Sequence, residues 1–210
     1  MGVGYTVSAL HRLLTPVRPY SPTVASIVAW RQRVASKYRD QLAEELTWDE
    51  SSTYEASANV ATGDDVMLHF AAAALDQHGL TGLAGMISRR QPTSQEMAAA
   101  FAAADRRGFG GRFPQLLLGA RIWLPFSNNL MIEEPDWDGK VARYGSVPRL
   151  ADELTDLRSA ITEADPSVER SAGPEATAHS LAGAWEASAT VLRLATIAWE
   201  RHLPLWTTGS

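Results

Sequence analysis

The sequence contains no cysteine, and only 2 of its 19 basic residues are lysine. The absence of cysteine excludes thiolate nucleophiles, redox pairs, disulfide bonds, and zinc or iron–sulfur centres with cysteine ligands. The excess of arginine, together with 33 alanines, is typical of a GC-rich bacterial genome. Any catalytic or metal-binding chemistry must therefore use histidine, carboxylate, hydroxyl or basic side chains.

Long apolar segments are also missing. No run of about 18 apolar residues, the length that crosses a bilayer, occurs in the chain. Residues 1–25 contain no basic stretch followed by the apolar segment of a secretory leader. We therefore expect a cytoplasmic protein without a membrane partner. Among its 210 residues, 45% are hydrophobic and 20% charged, which is typical of a folded globular domain and excludes a disordered tail.

Charge is distributed unevenly along the chain. Residues 1–39 hold six bases and no acid, whereas residues 130–175 hold eleven acids and five bases. Four of these bases, Arg31, Arg33, Lys37 and Arg39, fall on a predicted helix. The acidic residues Asp40, Glu44 and Glu45 follow them at once. With a net charge of −5 and no helix-turn-helix or zinc-finger pattern, nonspecific attraction to phosphates is weak. We expect no nucleic-acid partner.

Helical spacing and capping residues mark most of the chain as helical. Thr93 and Glu96 have the spacing of a capping box, and Gly108 is suited to end that helix. Ser146 is placed to cap a later helix whose apolar residues recur every three or four positions. The helical segments predicted by such signals are 22–46 (capped by Ser21), 64–79, 93–108, 147–161 and 178–202.

The apolar period shortens between residues 116 and 144, where proline, asparagine and glycine separate brief runs. We expect strands at 116–118, 122–124, 130–132 and 141–144, and a last strand at 203–206. The predicted fold is therefore a single α+β domain, mainly helical, with about six helices packed against a small antiparallel sheet. In its final helix, Trp185 and Trp199 occupy one seam and are predicted to lie in the core.

One helix face carries a candidate metal site. Asp65, His69 and Asp76 lie at about 0°, 40° and 20° around a helix that turns 100° per residue. A histidine between two carboxylates suits a divalent metal or a general base. The competing interpretation is a solvated surface pair, since none of the usual metal-ligand spacings is present.

An acidic segment between two predicted strands is the candidate partner-binding surface. It consists of Glu133, Glu134, Asp136, Trp137 and Asp138. A calcium loop would need further oxygen ligands, and Asp138 followed by glycine is first of all a hairpin signal. An exposed acidic turn that carries an indole nevertheless suits contact with a basic protein.

These features lead to two hypotheses on function. The first is a non-catalytic cytoplasmic bacterial binding protein, of the immunity or antagonist type, which presents the acidic segment to a basic protein partner and needs no cofactor. The alternative is a small metal-assisted enzyme, hydrolase-like, that uses the helix-borne histidine and aspartates with a divalent metal. No local motif of a serine hydrolase or phosphate-binding loop is present, so the sequence assigns no catalytic residue.

Overall fold

A computed structural model describes residues 2–14, 23–87, 92–137, 139–169 and 180–208. The helices are α1 (Val24–Lys37), α2 (Thr62–Ala84), α3 (Ser94–Arg107), α4 (Pro114–Leu117), α5 (Val147–Ala164) and α6 (Ser180–Arg201). The strands are β1 (Gly2–Val7), β2 (Ala56–Ala61), β3 (Ile122–Leu124), β4 (Ile132–Pro135), β5 (Val141–Ser146) and β6 (Leu205–Thr208). The predicted α+β, mainly helical class is confirmed.

The six strands form one sheet in the order β2-β1-β6-β3-β5-β4. All neighbours are antiparallel except β3 and β5, which run parallel. The sheet is therefore larger than predicted and mixed rather than antiparallel. The strands β1 and β2 were not predicted from the sequence. Alanine, serine and asparagine occupy most positions of β2 and carry little strand signal, whereas β1 alternates glycine with strand-forming residues only over a short stretch. The last strand, β6, lies in the middle of the sheet between β1 and β3.

Helices cover both faces of this sheet. On one face, Trp30 of α1 packs in a cluster with Leu124, Tyr144 and Trp206. On the other face, α2, α5 and α6 pack against Trp123 and Leu205 in the larger cluster. Successive strand residues point to opposite sides, so neighbours such as Leu205 and Trp206 belong to different clusters. The result is a three-layer arrangement of helix, sheet and helices.

The local capping signals are mostly confirmed. Thr93 and Glu96 form the reciprocal capping box of α3, and Gly108 ends that helix with a φ of 52°. The Ser146 hydroxyl accepts the N–H of Arg149 at the start of α5. Gly79, the predicted end of the second helix, interrupts α2 with a φ of 61°. A helical turn continues beyond it to Ala84.

The first helix is shorter than predicted. It is capped by Thr23 and ends at Lys37, while Ser21 and Pro22 lie outside the described residues. Beyond Lys37 the chain is irregular. Its apolar residues Leu46 and Trp48 are buried in the same cluster as Trp30 of α1. The helical spacing of these residues thus reflects burial in an irregular segment rather than a continuation of the helix.

The predicted strand at 116–118 is wrong, because this segment belongs to the short helix α4. Pro114 occupies its first turn, where a missing N–H is not needed. The two oxygens of the buried Glu153 carboxyl group accept the N–H groups of Gln115 and Leu116 at 2.9 and 3.0 Å. A distant side chain therefore satisfies the donors at the start of α4, and no local sequence pattern records that interaction.

The core seam of α6 is rotated from the predicted one. Trp199 is 40% exposed and Trp185 is half-buried under Arg158, so the expectation that both indoles lie in the core is wrong. The buried stripe instead contains Leu181, Ala184, Val191, Leu194 and Ala198. A Cβ added to Gly183 would lie 2.4 Å from the Asp64 carboxylate of α2. Small residues thus face α2 because the two helices approach closely. Among the described residues, no helix has both the length and the apolar character needed to cross a bilayer.

Candidate functional site

A cavity of about 360 Å³ opens between one end of the sheet and the helices α2 and α3. Its apolar walls include Val3, Val66, Met97, Phe101, Leu116 and Trp123. Its polar side chains are Tyr5, Asp65, His69, Arg121 and Thr207. A concave, largely apolar site with a few convergent polar groups is the usual form of a small-molecule site. Two of the three residues predicted as metal ligands, Asp65 and His69, line it.

Tyr5 fixes the Asp65 carboxylate in this cavity. The Tyr5 hydroxyl donates a hydrogen bond to Asp65 Oδ1 at 2.6 Å, from a strand residue to a helix residue 60 positions later. Burial, reinforced by the neighbouring Asp65 charge, raises the pKa of Tyr5 well above its ordinary value. Tyr5 therefore remains a hydrogen-bond donor throughout the neutral range.

His69 has one ring nitrogen anchored and one available. Its Nδ1 lies 2.8 Å from the backbone oxygen of Asp65 and 3.8 Å from Asp65 Oδ2. Since a carbonyl oxygen only accepts, Nδ1 carries the proton in this hydrogen bond, and in the neutral ring Nε2 is the acceptor. Within the described ranges Nε2 has no hydrogen-bond partner. The ring packs at 6.0 Å from the Phe101 ring, which holds its orientation in the cavity wall.

Arg121 places a positive charge without an ion-pair partner among the described residues on the same cavity. It precedes β3, is exposed, and its guanidinium makes no ion pair or hydrogen bond with any residue that the structure describes. By contrast, Arg107 and Arg112 are each bound by a carboxylate. A guanidinium with five free donors is a binding group for a carboxylate or phosphate.

Asp76, the third predicted metal ligand, lies away from this cavity. It follows His69 by seven residues on α2, so about 10 Å of helix axis separates them. Its Oδ1 accepts the Arg112 N–H at 2.7 Å, and its Oδ2 pairs with the Arg107 guanidinium at 2.6 Å. Among the described residues, no group of three or more histidines and carboxylates is arranged to hold a metal ion.

The acidic segment forms the β4–β5 hairpin, and part of its charge is compensated. Glu134 is 5% exposed and accepts hydrogen bonds from the Lys37 ammonium and the Tyr38 hydroxyl. The hydrogen bond from Lys37 is the main cause that lowers the Glu134 pKa. Glu133 pairs with Arg143 at 3.0 Å. These two carboxylates therefore attract a basic partner less than their sequence position indicates.

The remaining hairpin residues serve the turn and its packing. Asp136 Oδ1 accepts the Lys140 N–H at 2.9 Å and thereby closes the turn. The half-buried Trp137 packs edge-on against Trp30, with the ring centroids 6.0 Å apart. Asp138 lies outside the described residues. A basic protein partner for this hairpin stays a prediction.

Several residues of the cavity were missed by the sequence reasoning. Tyr5 belongs to a strand that was not predicted, although Val3, Tyr5 and Val7 alternate as apolar residues do along a strand. Phe101 of α3, and Arg121 and Trp123 at β3, come from two further segments that meet only in the folded chain. No motif of fixed spacing connects them, so only the sheet topology brings them together.

Comparison with protein-family models, with curated proteins and with solved structures gives no match for this chain. A function must therefore be inferred from the geometry of its cavity. The bacterial origin and cytoplasmic location expected from the sequence also stay predictions.

Proposed function

We propose that this protein binds a small organic anion in the cavity beside Arg121. The observation that carries the proposal is the unpaired guanidinium at a cavity whose walls are mainly aliphatic and aromatic. A charge-assisted, two-pronged contact with arginine orients a carboxylate or phosphate, while the apolar walls bind the rest of the molecule.

The polar groups of the cavity other than Arg121 determine which chemical group the other end of the ligand should carry. His69 Nε2 is an acceptor, and the Asp65 carboxylate adds a negative charge. Both favour an N–H or O–H donor on the ligand and repel a second anionic group. The ligand that fits has its anion at Arg121 and an uncharged apolar part, ending in a donor, beside His69.

Isothermal titration calorimetry tests this proposal with two matched probes. The anion 4-hydroxyphenylacetate has the required features, and 4-hydroxyphenylethanol has the same ring and hydroxyl without the charge. We expect saturable binding of the anion that is about tenfold tighter than that of the alcohol, corresponding to about 1.4 kcal/mol. Equal binding of the two probes, or no binding of either, would refute the proposal.

Two arginine variants localise the binding. Arg121→Gln should weaken the binding of the anion about tenfold and leave the affinity for the alcohol unchanged, because only the charged contact is lost. Arg193→Gln, which alters another exposed arginine on α6, is the matched control and should change neither affinity. An equal loss in both variants would indicate a general charge effect rather than a site.

A second candidate function is acid–base catalysis by His69 without a metal. It is favoured by the anchored Nδ1, which leaves Nε2 free to take a proton from a bound water or hydroxyl. Hydrolysis of 4-nitrophenyl acetate is the test. His69 Nε2 takes a proton from water as the water oxygen bonds to the ester carbon; the bond to 4-nitrophenolate then breaks, the phenolate takes the proton back from His69, and acetic acid is the other product. Activity should be lost in His69→Gln and kept in His78→Gln and in the presence of EDTA. If the two variants behave alike, His69 has no special role.

A further inference from the structure

A second cavity, of about 480 Å³, adjoins the first. The two share Gly119 and Arg121, so Arg121 lines both. The residues that line the second cavity include Leu118 and Val141 and the charged residues Glu133 and Arg143. Ile122 and Ala142 also border it, but their side chains pack with the Trp30 cluster on the other face of the sheet. A ligand held by Arg121 therefore has room on both sides of its anionic group.

The charges in the second cavity are already paired. Arg143 donates to Glu133 at 3.0 Å, to Asp105 at 2.8 Å and to the Leu118 backbone oxygen at 2.9 Å. Its guanidinium is thus held by two carboxylates and does not bind a further anion strongly. Arg121 remains the one guanidinium lining these two cavities that has no partner among the described residues. The second cavity accordingly favours an uncharged, apolar substituent.

This position of the charge restricts the class of ligand. A carboxylate or phosphate monoester places its charge at one end of a molecule, whereas a phosphodiester carries a single negative charge between two substituents. We infer that the ligand is a phosphodiester whose phosphate binds Arg121, with one substituent in each cavity. This inference rests on the proposed function and adds the class of anion to it.

The two substituents have different surroundings. The one in the first cavity lies among Phe101, Met97 and Trp123, with His69 and Asp65 as acceptors for a donor group. The one in the second cavity contacts the exposed aliphatic side chain of Val141, next to Leu118. An aromatic group with an N–H or O–H fits the first cavity, and a plain apolar group fits the second.

Calorimetry with two phosphodiesters of equal charge tests the inference. Diphenyl phosphate has a ring for each cavity, and methyl phenyl phosphate lacks the second ring. We expect diphenyl phosphate to bind about tenfold more tightly, because its second ring is removed from water in the second cavity. Arg121→Gln should lower the affinity for both diesters by a similar factor, since both lose the contact between their phosphate and the guanidinium.

Variants at Val141 identify the second cavity. Val141 is 67% exposed, so its replacement is compatible with folding. Val141→Trp narrows the cavity and should abolish most of the advantage of diphenyl phosphate without affecting methyl phenyl phosphate. The matched control Val141→Thr keeps the volume and should preserve the difference between the two diesters.

The results separate this inference from the function on which it rests. Tighter binding of diphenyl phosphate that depends on both Arg121 and Val141 supports the inference. Equal binding of the two diesters, or binding of 4-hydroxyphenylacetate alone, overturns it but leaves the proposed anion binding intact. Failure of every anion to bind overturns both.

Discussion

Two buried tyrosines with opposite hydrogen-bond status offer a matched test of the cavity. The Tyr5 hydroxyl donates to Asp65 at 2.6 Å, whereas the Tyr144 hydroxyl is buried without a hydrogen-bond partner among the described residues. Replacement by phenylalanine keeps the ring and removes only the hydroxyl in each case. The two substitutions should therefore change the free energy of unfolding in opposite directions.

The expected magnitudes follow from the surroundings of each hydroxyl. A hydrogen bond to a charged group contributes about 1.5 to 3 kcal/mol. The Asp65 side chain is 16% exposed, so water partly replaces the lost donor and Tyr5→Phe should cost about 1.5 kcal/mol. A buried hydroxyl without a partner is unfavourable, and Tyr144→Phe should stabilise the protein by about 1 kcal/mol.

Equilibrium unfolding in urea at pH 7, followed by circular dichroism, measures both changes. The double variant should show the sum, because the two tyrosines belong to clusters on opposite faces of the sheet. Destabilisation by Tyr144→Phe, or no effect of Tyr5→Phe, would show that the described hydrogen bonding does not hold in solution.

The raised pKa values of Tyr5 and Tyr144 lead us to expect a loss of stability at alkaline pH. Burial raises the pKa of both side chains in the folded protein. Their contribution is complete below pH 10, the ordinary pKa of tyrosine, and is lost as the pH rises above it, since the unfolded chain then releases the protons first. Thermal unfolding between pH 9 and 11, a range centred on that ordinary value, should show a smaller decrease of Tm in the double variant than in the wild type.

Three further predictions concern other parts of the fold. Trp199→Ala should lower the free energy of unfolding in urea by less than about 1 kcal/mol, because the indole is 40% exposed. A decrease of about 3 kcal/mol or more would indicate that Trp199 lies in the core, as the sequence predicted. Burial raises the pKa of Glu153 to about 8, so wild-type Tm should fall as the pH rises from about 4.5 to 8, whereas Glu153→Gln should flatten this dependence; parallel curves would contradict it. Glu134→Gln should lower Tm more than Glu133→Gln, since only Glu134 is buried, and equal effects would show that its contact with Lys37 is not formed.

The fold was predictable from the sequence where short-range interactions determine it. The starts of α3 and α5 follow from cap residues that bond to groups three positions away. The strands β1 and β2 depend instead on pairing between distant residues such as Val3 and Val60, and the small side chains of β2 carry little local signal. The helix α4 depends in the same way on the distant carboxylate of Glu153.

The candidate site was predictable in part for the same reason. Asp65 and His69 are neighbours on one helix turn, so their proximity is visible in the sequence. Tyr5 and Arg121 reach them only through the order of strands in the sheet. Helical geometry also indicated that Asp76 shares their face, but angle alone ignores the axial distance that places it beside Arg107.

The central position of β6 has a consequence for synthesis of the chain. Before residues 205–208 leave the ribosome, β1 and β2 form one half of the sheet, β3, β4 and β5 form the other, and no strand joins them. Both halves then present an unpaired edge, the kind of edge that promotes association between chains. The complete sheet therefore forms only after residues 205–208 have been synthesised, and deletion of this one strand should yield aggregation rather than a smaller folded protein.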